Sequence, residues 1–158
     1  DFDGGFRSIC VDKIDVDEKN VKIKMTQMTR KGVDQIRPLN PFQIQQTETV
    51  AGTLNATFAE TETVGNTVLD VTGANQTVMV RGAKFSKSPK QIVCKVKGHG
   101  SFKVCIGTPD SQPVAKVSVN SNDWKNVKAS IKGKVRGQQN VYFISENGNY
   151  QFDEWKFE

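Results

Sequence analysis

The chain has 158 residues, 36% hydrophobic and 25% charged, with a net charge of +5. That is about one domain's length, enough for a real apolar core. No apolar run approaches the ~18 residues of a membrane helix and no signal peptide opens the chain, so no membrane partner is expected.

The first residues, "DFDGGFRSIC", read as the middle of a longer polypeptide, so the sequence is expected to be a fragment. Residues 6–16 ("FRSICVDKIDV") and 21–29 ("VKIKMTQMT") predict two strands joined around residues 17–20. A lone hairpin is marginal in water, so it must pack on something else. A break follows at "VDQIRPLNPF", where Pro38 and Pro41 flank Leu39 and Asn40 and favour extended linker. Domain boundaries of 1–37 and 38–158 follow.

Beyond the break almost everything reads as strand. Thr, Val and Ile abound, turn signals such as "TPDSQP" and "ENGN" recur, and no stretch keeps a 3.6-residue period. The predicted strands are 42–50, 67–71, 76–82, 90–97, 101–107, 114–119, 124–131, 139–145 and 150–157. Many short strands with short connections predict an antiparallel sandwich or barrel. Phe85, Ile92, Val96, Phe102, Val104, Trp155 and Phe157 are its predicted core.

Cys10, Cys94 and Cys105 show no CxxC spacing, and His99 is the lone histidine, so no thiolate metal site is expected. "QIVCKVKGHGSFKVCIG" reads as a hairpin with His99 exposed in its turn. Parity then opposes a Cys94–Cys105 disulfide. Cys94 is in phase with Ile92 and Val96 on the core side, whereas Cys105 is in phase with Ser101 and Lys103 on the outer side.

Residues 81–136 hold 13 Lys or Arg against Asp110 and Asp123. Such a block suits nucleic acid or an acidic polysaccharide. Yet the lysines alternate with apolar residues, as in "VKASIKGKV", which is how the wet face of a sheet reads. No RNA-binding aromatic motif or zinc-finger spacing accompanies them, so no nucleic-acid partner is expected.

The chain closes with "NYQFDEWKFE". At period two, Trp155 and Phe157 face inward and Glu154 and Lys156 outward, and Asp153 falls on the inward side. An unpaired buried carboxylate costs several kcal/mol, roughly, so this residue needs a partner.

Both pieces resemble known families. "FRSICVDKIDVDEKNVKIKMTQMTRKGVDQIRPLNPF" is similar to the end of bacterial glycoside hydrolase family 43 catalytic domains. Residues 42–158 resemble carbohydrate-binding module family 6. "QTETVAG" is similar to its opening "E-A-E-T-M-A", "SNDWKNV" to its "GGWQ-x-W", "NVYFIS" to its "H-D-L-Y-L-V-F", and "NYQFDEWKF" to its terminal strand. The resemblance implies an all-β, two-sheet antiparallel jelly-roll-like sandwich with an N-terminal β-hairpin extension. It also implies that the fragment lacks the catalytic propeller and is not itself an enzyme.

The family pairs its first and last strands beside a calcium ion. Carried over, the ligands are Gln46, Glu48 and Asp153, with Gln46 replacing a glutamate. The alternative is a closed, metal-free site in which Asp153 accepts hydrogen bonds. The family clamps a sugar between two rings on loops. One ring matches Trp124; the other falls at Asp70 or Val71, so the second aromatic is missing. The family's sugar-bonding asparagine falls at Asn147 or Asn149. The resemblance thus implies a monomeric, extracellular, cell-surface or periplasmic module. It would bind a xylan-type polysaccharide and serve its own missing catalytic domain. A module that has lost sugar binding and braces the propeller is the alternative.

Overall fold

The structure is a computed structural model that describes residues 12–23, 33 and 37–158. The chain divides into two units, Asp1–Arg37 and Pro38–Glu158. In the first, β1 (Val16–Asp17) and β2 (Lys22–Ile23) pair antiparallel, Val16 opposite Ile23. Asp17 closes their turn by accepting from the backbone and side-chain nitrogens of Asn20, at 3.2 and 3.0 Å. The rest of the expected hairpin, and Cys10, lie outside the described residues.

The second unit contains only strands: β3 (Gln45–Gln46), β4 (Gly52–Leu54), β5 (Thr57–Glu60), β6 (Thr67–Thr72), β7 (Thr77–Phe85), β8 (Gln91–Ile106), β9 (Ala115–Ser130) and β10 (Gly137–Phe157). All their pairings are antiparallel, as the short connections predict. Among the described residues no helix is long and apolar enough to cross a membrane.

One correction governs the architecture. "QIVCKVKGHGSFKVCIG" is not a hairpin: β8 runs unbroken from Gln91 to Ile106. The expected pairs 114–119/124–131 and 139–145/150–157 are likewise single strands, β9 and β10. β8 pairs with β10 along nearly its whole length, and β9 with β8. On its other edge β10 meets β7, then β6, then β3. The three long strands therefore serve both layers and turn the corner together. One layer is β4-β7-β10-β8-β9, built from the first half of β10; the other is β5-β6-β10-β8-β9, built from its second half.

The corner is made of glycine. A Cβ on Gly98 would stand 2.6 Å from both Asn149 O and Tyr150 Cα, and one on Gly148 would collide with His99 O and Gly100 Cα. Both sit at positive φ, +116° and +93°, where side chains are strained. Glycine pairs read as turns in sequence; here they let two backbones touch.

Between the layers lies the apolar core, and all seven predicted members are at most 2% exposed. Phe102 stacks on Phe152 at 4.9 Å, Phe143 meets Phe152 at 5.2 Å and Trp155 at 5.3 Å. Such ring pairs add about 0.5–1.5 kcal/mol each beyond burial. Lys116, Lys125 and Lys128 are exposed along β9, which among the described residues pairs only with β8. Lysines on an open edge discourage pairing with another chain, which accounts for part of the basic block.

Cys94 and Cys105 are free and fully buried. They lie on one strand, 11 positions apart, so about 3.3 Å per residue keeps them from bonding. Cys105 was expected on the wet side. It does leave the outer face, but residues 107–113 fold over it and its thiol donates to Ser111 O at 3.4 Å. Thiol titration of the denatured, unreduced protein should count three free groups, Cys10 included; a count of one would reveal a Cys94–Cys105 bridge.

Candidate functional site

An open groove crosses the outer face of the β5-β6-β10-β8-β9 layer. Its larger part is a cleft of about 420 Å³. Lys95 and Lys97 of β8, Gln151 and Asp153 of β10 and Trp124 of β9 form one side; Glu60, Glu62 and Asn66 stand on the other. A second cleft of about 270 Å³, lined by Asp70, Thr72, Asn149 and Tyr150, adjoins it and shares Lys97 and Gln151. The two form one trough along the sheet.

Trp124 enters the groove because of an irregular register. Val96 pairs with Lys125 and Gly98 with Ser121, which leaves Asn122, Asp123 and Trp124 opposite the single residue Lys97. The surplus residues bulge outward and aim a half-buried indole along the sheet surface. The Lys95 ammonium lies 5.7 Å from the Trp124 ring centroid, within cation–π range.

Trp124 lies within β9, and Asn147 and Asn149 lie within β10 rather than in a loop before it. Asn149 and Asp70 line the second cleft, whereas Asn147 is exposed, pairs with Ser101 and lines neither. Val71, the other position for the missing ring, is 1% exposed in the core. His99 is exposed as expected, but on the bend of β8. Its two ring nitrogens lie 2.9 Å from Asn120 Oδ1 and Asn122 Oδ1, tying that bend to β9.

At the floor of the groove, a bulge places the inward carboxylate. Phe152 pairs with Val96 and Glu154 with Lys95, so Asp153 is the extra residue of β10. It is 1% exposed. Its side chain nevertheless turns to the groove rather than into the apolar core, and its Oδ2 receives the Lys95 ammonium at 2.7 Å. That hydrogen bond holds the Lys95 pKa above the usual lysine value, against desolvation.

β3 docks on the same bulge, Gln46 opposite Glu154. The Thr47 N–H and hydroxyl both donate to Asp153 O, at 2.7 and 2.6 Å. Gln46 and Glu48 flank Thr47, and Gln46 Nε2 reaches Glu154 Oε1 at 3.4 Å. Three buried side-chain oxygens here have no donor: Gln46 Oε1, Glu48 Oε2 and Asp153 Oδ1. Each such orphan costs about 1–3 kcal/mol, more when charged. All three belong to the residues expected to hold calcium, and oxygen-only donors with two carboxylates suit a hard cation. Among the described residues no group of three or more Asp, Glu, His or Cys is placed to hold a metal, so a cation here would need the Gln46 amide and backbone carbonyls besides carboxylates. Sequence reasoning missed Thr47 and Lys95. Their roles depend on a bulge that periodicity does not reveal.

The described residues of the second unit form a curled antiparallel sandwich with a trough on one sheet face, and the comparisons agree at the level of fold. No protein-family model and no curated protein matches the chain. Among solved structures, a family 6 carbohydrate-binding module of Clostridium stercorarium in complex with cellobiose superposes with a TM-score of 0.70 at 14% identity, over 78% of this chain and 98% of its own. A family 6 module of Clostridium cellulolyticum in complex with xylose gives 0.68 at 12% identity, over 75% and 98%. A glycoside hydrolase family 43 arabinoxylan arabinofuranohydrolase of Bacillus subtilis, in complex with cellotetraose, gives 0.81 at 22% identity and covers 92% of this chain. The chain spans about a third of that enzyme's length. The fold is that of the family 6 modules.

Proposed function

We propose that residues 38–158 are a non-catalytic module that binds xylan or a related β-linked hemicellulose. In this reading it holds a family 43 xylosidase or arabinofuranosidase on its substrate. The observation that carries the proposal is Trp124, thrust by a bulge into an open trough whose walls bear amides, carboxylates and ammonium groups. An indole face accepts the C–H face of a pyranose, and the polar groups bond its hydroxyls. Trp124, Gln151, Asn149 and Asp70 are the proposed sugar contacts.

Placement beside an enzyme is supported by the extent of the matches. The free-standing modules cover 75–78% of the chain, about the share of the second unit, whereas the arabinofuranohydrolase covers 92% and so reaches into the first. Residues 1–37 are accordingly proposed as the tail of a catalytic domain. Tethering then raises the enzyme's effective concentration at the polysaccharide, which implies action outside the cytoplasm. Calcium is proposed at Gln46, Glu48 and Asp153, where it would neutralise the buried carboxylates and fix β3 against β10.

One observation favours the rival reading, a brace that has lost sugar binding: among the described residues Trp124 is the sole aromatic lining the larger cleft, and Lys95 lies over its ring. Native electrophoresis in gels containing soluble arabinoxylan separates the two. The module reading expects retardation, weakened about tenfold by Trp124→Ala, the worth of one ring contact. Migration unaffected by the polysaccharide favours the brace.

A further inference from the structure

Lys95 belongs at once to both features just described. Its ammonium holds Asp153 Oδ2 at 2.7 Å, lies 5.7 Å from the Trp124 ring centroid and has Glu154 Oε1 at 3.9 Å. The other oxygen of Asp153 is buried and has no donor. We infer that Lys95 couples the cation site to the groove: a divalent cation taken up by Asp153 displaces the Lys95 ammonium and uncovers the face of Trp124. The inference rests on the cation and groove readings given above.

Charge and place drive the coupling. Calcium bonds carboxylate oxygens at about 2.3–2.6 Å. With Lys95 on the second oxygen of the same carboxylate, a dication and an ammonium would stand within a few ångströms beside a carboxylate that is itself buried, where repulsion is less screened than in bulk water. Asp153 is 1% exposed and fixed through its backbone carbonyl by Thr47, so the carboxylate cannot retreat. Lys95 can: its side chain is 35% exposed, and Glu154 offers a second carboxylate within reach. Without the cation, Lys95 offsets part of the buried charge but sits where a pyranose ring would stack. With it, the ammonium gains nothing from Asp153 and the indole is free. Cation and sugar would then bind with positive coupling, each favouring the arrangement in which Lys95 has left.

The test uses the full chain, calcium chloride and acrylamide quenching of tryptophan fluorescence. The protein has two tryptophans, and Trp155, 1% exposed, is shielded from the quencher, so the signal reports Trp124. Calcium is expected to raise quenching about twofold in the native protein. In Lys95→Met quenching should already be high and indifferent to calcium, and calcium should bind about tenfold tighter because its competitor is gone. If calcium raises the melting temperature yet leaves quenching unchanged, or if Lys95→Met binds calcium no tighter, the coupling is wrong while the cation site stands. If calcium moves neither melting nor quenching, the cation reading fails and takes the coupling with it. Should Lys95→Met not fold, the native protein's quenching with and without calcium decides alone.

Discussion

Gly148→Ala is expected to cost the sandwich about 3–5 kcal/mol, enough to unfold much of a domain whose total stability is about 5–15 kcal/mol. Two effects add. Gly148 has φ +93°, a conformation that costs a side-chain-bearing residue about 1–3 kcal/mol. Its Cβ would also collide with His99 O and Gly100 Cα, which are backbone atoms and cannot rotate away. Relief requires prising β10 from β8 at the corner both layers share, beside the rings of Tyr150 and Phe102 stacked at 5.8 Å. Gly98→Ala should behave similarly, since its Cβ would meet Asn149 O at 2.6 Å. Gly133 separates the two effects. Its φ is +81° but nothing lies within 4 Å of its Cβ, so Gly133→Ala should cost only the conformational part, about 1–2 kcal/mol. Chemical denaturation measures all three. Equal costs at Gly148 and Gly133 would mean that the close approach at the corner does not limit stability.

The same glycines explain what the sequence conceals. Gly98-His99-Gly100 looks like a hairpin turn because glycine serves both turns and bends. What makes it a bend is a partner about 50 residues away, where Gly148 lets β10 follow β8. Local pattern was sufficient where one face is dry and the other wet, as at Trp155 and Phe157 against Glu154 and Lys156. It failed at the short edge strands β4 and β5, whose side chains are mostly exposed and carry little alternation. Cys105 was assigned the correct face and the wrong environment, because a covering loop leaves no trace in the parity of a strand. For the site, resemblance picked out Gln46, Glu48 and Asp153, each of which carries a buried side-chain oxygen without a donor. It also put the Trp124 ring on a loop, whereas Trp124 rises from a bulge within β9. Two strands of unequal residue count produce that bulge, and a single strand's pattern cannot show it.

Removing calcium should lower the melting temperature of the native protein by about 5–10 °C. A ligand at a hundredfold excess over its dissociation constant stabilises by about 2.7 kcal/mol, and each kcal/mol shifts the midpoint by about 2–4 °C for a chain of this size. The cause is the uneven satisfaction of Asp153. Lys95 serves Oδ2, yet Oδ1, Glu48 Oε2 and Gln46 Oε1 stay buried without donors. A folded apo form must bear that cost, and an unfolded one has water instead. Asp153→Ala should abolish the response to calcium. Its sign with respect to the native protein should depend on the metal: clearly less stable in calcium, where a ligand is lost, but nearly equal in chelator. There the substitution removes an orphaned oxygen along with an ion pair whose lysine is partly exposed and contributes little. Gln46→Glu supplies a third carboxylate, so it should tighten calcium binding while destabilising the chelated protein through like-charge repulsion with Glu48 and Asp153. Scanning calorimetry of the three proteins, each with calcium and with chelator, reads every sign. If chelator leaves the native melting curve unchanged and Gln46→Glu destabilises equally in both conditions, Asp153 is held by Lys95 and Thr47 alone and the site takes no metal.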